Sequence, residues 1–108
     1  VDLGVDRVLT SGGAPTALDG LRTLRSLVAA AAGRVGILAG GRVTAEVAST
    51  LVREAGLREL HVRGAAPVES PMRFRREAIR FGKPYAPDEY RWSEVSEASI
   101  RAVVDATR

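Results

Sequence analysis

His61 and Arg63 stand two residues apart in the stretch Glu59-Leu60-His61-Val62-Arg63-Gly64. In an extended chain alternate side chains share a face, so both point away from the side of Leu60 and Val62. If their face lines a binding mouth, His61 can serve as acid, base or ligand and Arg63 can hold an anion. For a lone strand histidine, a satisfied core or rim position is the weightier account. Gly40-Gly41 follows the apolar run Val35-Gly36-Ile37-Leu38-Ala39. Glycine lets backbone N–H groups come close to an anion, and a helix opening at Thr44 would add its positive end. A tight strand-to-helix turn needs the same glycines whatever it binds, and that account outweighs the anion site. Thr10-Ser11-Gly12-Gly13 brings hydroxyls and N–H groups to another strand end. It matches no phosphate loop, dinucleotide fingerprint or nucleophile elbow. Ser11 and Gly12 therefore read first as turn residues, a role compatible with contact to a ligand.

Two further groups carry charge or sulfur. Arg73, Arg75, Arg76 and Arg80 could clamp a phosphate or carboxylate; a solvated face or a subunit contact is the simpler reading. Asp88-Glu89 reads as an exposed carboxylate pair in a loop. Cysteine is absent and Met72 is the only sulfur in the chain. Cu(I) prefers soft donors, so these residues alone do not make a complete copper site. No residue is assigned a catalytic role.

The elements that must position these groups follow a repeated grammar. Val8-Leu9 runs into Thr10–Gly13, and a helix is expected from Pro15 or Thr16, with Leu18, Leu21, Leu24, Val28 and Ala31 near one face and Gly33 ending it. Strand 35–39 is apolar throughout, as in a strand covered on both sides. Thr44 is the expected N-cap of the next helix, Val47, Leu51, Val52 and Ala55 its inner side, and Gly56 its stop. Residues 57–62 make a third strand. The order β-α-β-α-β predicts a parallel sheet with right-handed crossovers, its polar loops at the carboxyl ends of the strands, where α/β proteins bind ligands. Beyond Gly64, residues 65–70 read as loop and 71–76 as a basic, partly helical segment. Gly82-Lys83-Pro84-Tyr85-Ala86-Pro87 reads as irregular. A last amphipathic helix is expected from Ser93 or Ser96, with Ile100, Val103 and Val104 inward.

At 108 residues the chain is one domain or part of one. Three parallel strands leave sheet edges bare, whereas a (β/α)8 barrel takes about 250 residues. The pattern is therefore expected to be the C-terminal part of such a barrel: a single partial TIM-barrel domain over 1–108, with the N-terminal half absent. The opening Val1-Asp2-Leu3-Gly4, which resembles a helix end closing on a glycine cap, agrees with a piece that starts inside something larger. Sixteen basic against 13 acidic residues give a formal charge of +3, and Lys83 is the only lysine. So small and scattered an excess favours a small anionic ligand over nucleic acid. No apolar run is long enough for a bilayer, and no signal segment is recognisable. A cytoplasmic protein with no membrane partner is the expectation.

The motifs, taken together and in order, resemble the CutC copper-homeostasis family. Gly4-Val5-Asp6-Arg7-Val8-Leu9-Thr10-Ser11-Gly12-Gly13 is similar to its Leu-Thr-Ser-Gly segment. Leu38-Ala39-Gly40-Gly41-Arg42-Val43 with Glu46 is similar to its next glycine loop and helix start. Glu59-Leu60-His61 and Ser70-Pro71-Met72-Arg73-Phe74-Arg75 resemble its Glu-x-His and Ser-Pro-Met-Arg-Tyr-Arg signatures, and Asp88-Glu89-Tyr90 and the closing helix also fit. The resemblance implies a cytoplasmic TIM barrel, here strands six to eight, associated with copper tolerance and copper binding. It also implies a homodimer or homotetramer, and no established reaction. Cysteines proposed for copper in some members would lie outside these residues. His61 and Met72 match family positions and are the metal candidates, with Cu(I) as the metal. Val62-Arg63 departs from the small residues that the family pattern expects, so Arg63 either fills the pocket or adds an anion contact. The alternative function is a barrel enzyme for a phosphorylated or carboxylated metabolite. In it Gly40, Gly41 and Arg63 hold the anion, and His61 handles a proton.

Overall fold

A computed structural model of the chain describes residues 1–82 and 89–108. The sequence readings that touch residues 83–88, among them the irregular stretch after Gly82 and Asp88 of the carboxylate pair, lie outside the described residues. Strands β1 (Arg7–Thr10), β2 (Gly36–Gly40) and β3 (Glu59–His61) form a parallel sheet in that order, joined by helices α1 (Leu21–Ala31) and α2 (Ala45–Ala55). The register sets Leu9 opposite Leu38 and Gly40 opposite His61. The β-α-β-α-β order is thus present as a mixed α/β unit with one three-stranded parallel sheet.

Period-two alternation sorts the sheet into two faces. Ile37, Ala39 and Leu60 lie on the face that the helices cover, packed with Ala17, Leu24, Leu51, Ala55 and Leu57 in a single buried cluster. Arg7, Leu9, Leu38, Glu59 and His61 share the other face, with Gly36 and Gly40 between them. That second face is open, and Leu9 is 55% exposed. The expectation that the middle strand is covered on both sides is corrected: helices pack against one side only, and Ile37 and Leu38 are half-buried.

The first helix starts later than its spacing suggests. Residues 16–20 form a separate turn, in which Thr16 Oγ1 accepts from the Asp19 N–H and donates to Asp19 Oδ2. The Gly20 N–H closes that turn on the Thr16 carbonyl. Gly20 then caps α1 without a side-chain partner. At the other end Ala32 takes a left-handed conformation, and the Arg34 guanidinium donates to the Ala30 and Ala31 carbonyls that the helix leaves unpaired. The second helix matches its signals closely. Thr44 is extended and accepts from the Val47 N–H, Glu46 sits in the first turn, and Gly56 ends the helix at φ +71°. Thr44→Ala is expected to cost about 1 kcal/mol of folding stability, and Thr44→Ser almost nothing, in urea unfolding.

Beyond Gly64 the sequence reading changes most. The stretch expected to be loop is strand β4 (Ala65–Glu69), paired antiparallel with β5 (Arg91–Val95), where Ser93 had been a candidate helix start. Pro67 inside β4 is tolerated because a two-stranded ribbon is all edge. Arg91 donates to Glu69 at the far end of the ladder. Residues 71–76 are not helical. They are held to the ribbon instead: the Tyr90 hydroxyl accepts from the Arg76 N–H, and the Arg75 guanidinium lies 4.6 Å from the Tyr90 ring centre. Helix α3 (Glu97–Ala106) starts at Ser96, whose hydroxyl accepts from the Ser99 N–H, and lies against α2. Gly64 makes the corner into β4 at φ +58°, and a side chain there would meet Ile100 Cγ1 at 2.8 Å. Gly64→Val is accordingly expected to loosen α3 from the corner at Gly64, lowering the thermal midpoint while Gly33→Val, whose Cβ would meet nothing within 4 Å, lowers it less.

The molecule measures 56 × 29 × 24 Å, with a radius of gyration of 17.8 Å. A compact domain of this length would have about 13 Å. The exposed ribbon fits that elongation. Among the described residues no helix is long and apolar enough to cross a membrane.

Candidate functional site

Parallel strands deliver their carboxyl ends to one edge of the sheet, and the loops after β1 and β2 meet there. The Ala17 N–H donates to the Gly41 carbonyl at 2.9 Å, tying the two loops together. Gly41 sits at φ +114°, and a Cβ there would lie 3.3 Å from both the Ala17 nitrogen and Ser11 Cβ. Ser11 and Gly41 are thus neighbours. The Ser11 hydroxyl, however, donates to the Ala14 carbonyl at 2.6 Å, and the Gly12 N–H donates to Thr10 Oγ1 at 3.0 Å. Both residues are engaged in shaping their own loop. Gly12 is buried against Gly20, where its added Cβ would lie 2.5 Å from the Gly20 carbonyl oxygen.

Gly40 has a different use. It lies on the open face between Leu9 and His61; an added Cβ would be 3.0 Å from Leu9 Cδ1 and 3.2 Å from His61 Nδ1. The missing side chain is what lets the imidazole lie across the middle strand. The same device recurs at the opposite end of the strand. Gly36 leaves room for Arg7 and Glu59 to meet over it, with Arg7 Nε 2.7 Å from Glu59 Oε2. That hydrogen bond, together with the charge of Glu59, raises the Arg7 pKa above its ordinary value. Both partners are solvent-accessible, so the pair contributes little to stability.

His61 and Arg63 also border a cavity of about 790 Å³ beside the open face. Gly41, Arg42, Val43, the cap Thr44 and Ala45 of α2 form one wall, and Ser99, Ala102 and Val103 of α3 form another. Arg42 adopts a left-handed backbone, φ 52°, immediately after Gly41. Its alignment with the pocket is a feature the sequence reading missed, since nothing in Gly-Gly-Arg-Val marks the arginine as the residue that turns. Ser93 was missed as a wall residue because the ribbon that brings it there was not foreseen, and Ser99 because the packing of α3 beside the start of α2 is not encoded locally.

The structure therefore brings Gly41, His61 and Arg63 to one cavity and sets Ser11 and Gly40 beside it. It does not bring Met72 or Arg73 to that cavity. Both lie past β4, with Met72 57% exposed and its N–H donating to Ser70 Oγ. Met72 thus does not line the cavity that His61 borders. Among the described residues no three His, Asp or Glu side chains gather where they could hold a metal ion.

Comparison with known proteins agrees with the order of these motifs. The family model described as CutC family matches residues 1–66, which contain the whole parallel sheet. A family protein CutC from Porphyromonas gingivalis (strain ATCC 33277) is 41% identical over 102 residues, 94% of this chain and 41% of the relative. One from Pasteurella multocida is 36% identical over 103 residues, 95% of this chain and 41% of the relative. Another from Sinorhizobium medicae is 35% identical over 106 residues, 98% of this chain and 42% of the relative. The chain spans about two fifths of the length of the curated relatives it matches. With a family model over more than half its residues and relatives similar along nearly all of it, the chain belongs to the CutC family.

Proposed function

We propose that this chain is the C-terminal, three-strand portion of a CutC-type (β/α)8 barrel, cytoplasmic and homo-oligomeric, that takes part in copper homeostasis by binding. Family membership supports the copper-homeostasis role. The observation that carries the binding role is the convergence of Gly41, His61 and Arg63 on one cavity at the carboxyl end of a parallel sheet, the end at which barrels bind their ligands. Copper in this reading is cargo. Among the described residues no complete Cu(I) site forms, because His61 offers one imidazole and Met72, the only thioether, does not line the cavity that His61 borders. Any tight site must draw its other donors from the rest of the barrel or from a partner subunit. A Cu(I) competition titration against a chromogenic chelator tests this. A protein carrying the whole barrel is expected to take copper from a competitor of submicromolar affinity, and the 108-residue chain is expected to fail. Micromolar or absent binding by the whole barrel would overturn the copper reading.

The second reading is a barrel enzyme that binds a phosphorylated or carboxylated metabolite, and the charge around the cavity favours it. Arg42 and Arg63 line the same space as the start of α2. An anion placed there would meet two guanidinium groups and the unpaired N–H groups of a helix start. Inorganic phosphate is the simplest probe. At a hundredfold excess over Kd it is expected to stabilise the parent by about 2.7 kcal/mol. Gly41→Asp, which sets a carboxylate in the loop, and Arg63→Gln, which leaves the backbone alone, are both expected to abolish that gain. A parent whose thermal midpoint ignores phosphate would count against the anion reading.

A further inference from the structure

We draw no further inference here: the strongest candidate, the exposed surface on the β4–β5 arm where Phe74, Phe81 and Trp92 lie among arginines, carries nothing because nothing in the structure shows what covers it.

Discussion

Replacing Gly20 with alanine is expected to destabilise the protein by about 3 kcal/mol, near the upper end for overpacking a tight contact. The Gly20 φ is −87°, a value any residue adopts, so the backbone conformation gives no hint of the cost. The cost is steric. A Cβ at Gly20 would fall well inside the Ser11 carbonyl oxygen and 2.9 Å from both the Ser11 carbonyl carbon and Gly12 Cα. These are backbone atoms and cannot swing aside as the end of a side chain can. Gly12 faces the same contact from the start of the same β1–α1 connection, and its φ of +76° adds strain to any replacement. The natural comparison is Gly13→Ala. Gly13 also has a positive φ, +73°, but its Cβ would meet nothing within 4 Å, so only the left-handed penalty of about 1 kcal/mol applies. Urea unfolding of the two variants separates the effects. Equal midpoints would show that the Gly12–Gly20 contact is not tight in solution. The consequence reaches the site, because the loop wedged by Gly20 is the one whose Ala17 N–H holds the Gly41 carbonyl.

That contact also shows where sequence reasoning stops. The parallel sheet was legible because each apolar run empties into glycines and is followed by a helical apolar face. α2 was legible almost to the residue, since Thr44 and Gly56 are local capping signals whose energies do not depend on distant partners. α1 was misplaced at its start because Pro15 and Thr16 are good first-turn residues, whereas Gly20 marks a close approach to a loop eight residues earlier. No periodicity encodes such a contact. The ribbon was missed for a related reason. Ala65–Glu69 contains Pro67 and finds its partner only at Arg91–Val95, across a long connection. A strand whose stability comes from so distant a pairing leaves little local trace. At the site, His61 and Arg63 do border one cavity, although β3 ends at His61 and the strand alternation expected to pair them stops short of Arg63. The roles of Gly36 and Gly40 were not legible, because they follow from the cross-strand register. The middle strand gives up its side chains so that those of its neighbours can meet over it.

Leu51→Ala and Leu9→Ala together test whether the open face of the sheet is the lining of a larger barrel. Leu51 is fully buried in the cluster between helices and sheet. Truncating it removes apolar contacts and leaves a cavity, for an expected loss of about 3 kcal/mol wherever the three-stranded unit is folded. Leu9 points to the opposite face and is 55% exposed. In the 108-residue chain its truncation is expected to cost about 0.5 kcal/mol, the ordinary scale for a surface position. If the remaining strands of a (β/α)8 barrel close over that face, Leu9 becomes an inward-pointing residue of a packed interior. The same substitution in a protein carrying those strands is then expected to cost about 2–5 kcal/mol, as for other buried leucines. The unfolding free energies of the four variants, each compared with the parent in its own context, give the answer. A Leu9 penalty that stays small in the longer protein would mean that the open face remains wet, and the barrel proposal would fail with it. A penalty that rises to match Leu51 would place Arg7, Glu59 and His61 on the same covered face, within a packed interior. The charges of Arg7 and Glu59 would then be screened far less by solvent than they are on the open sheet.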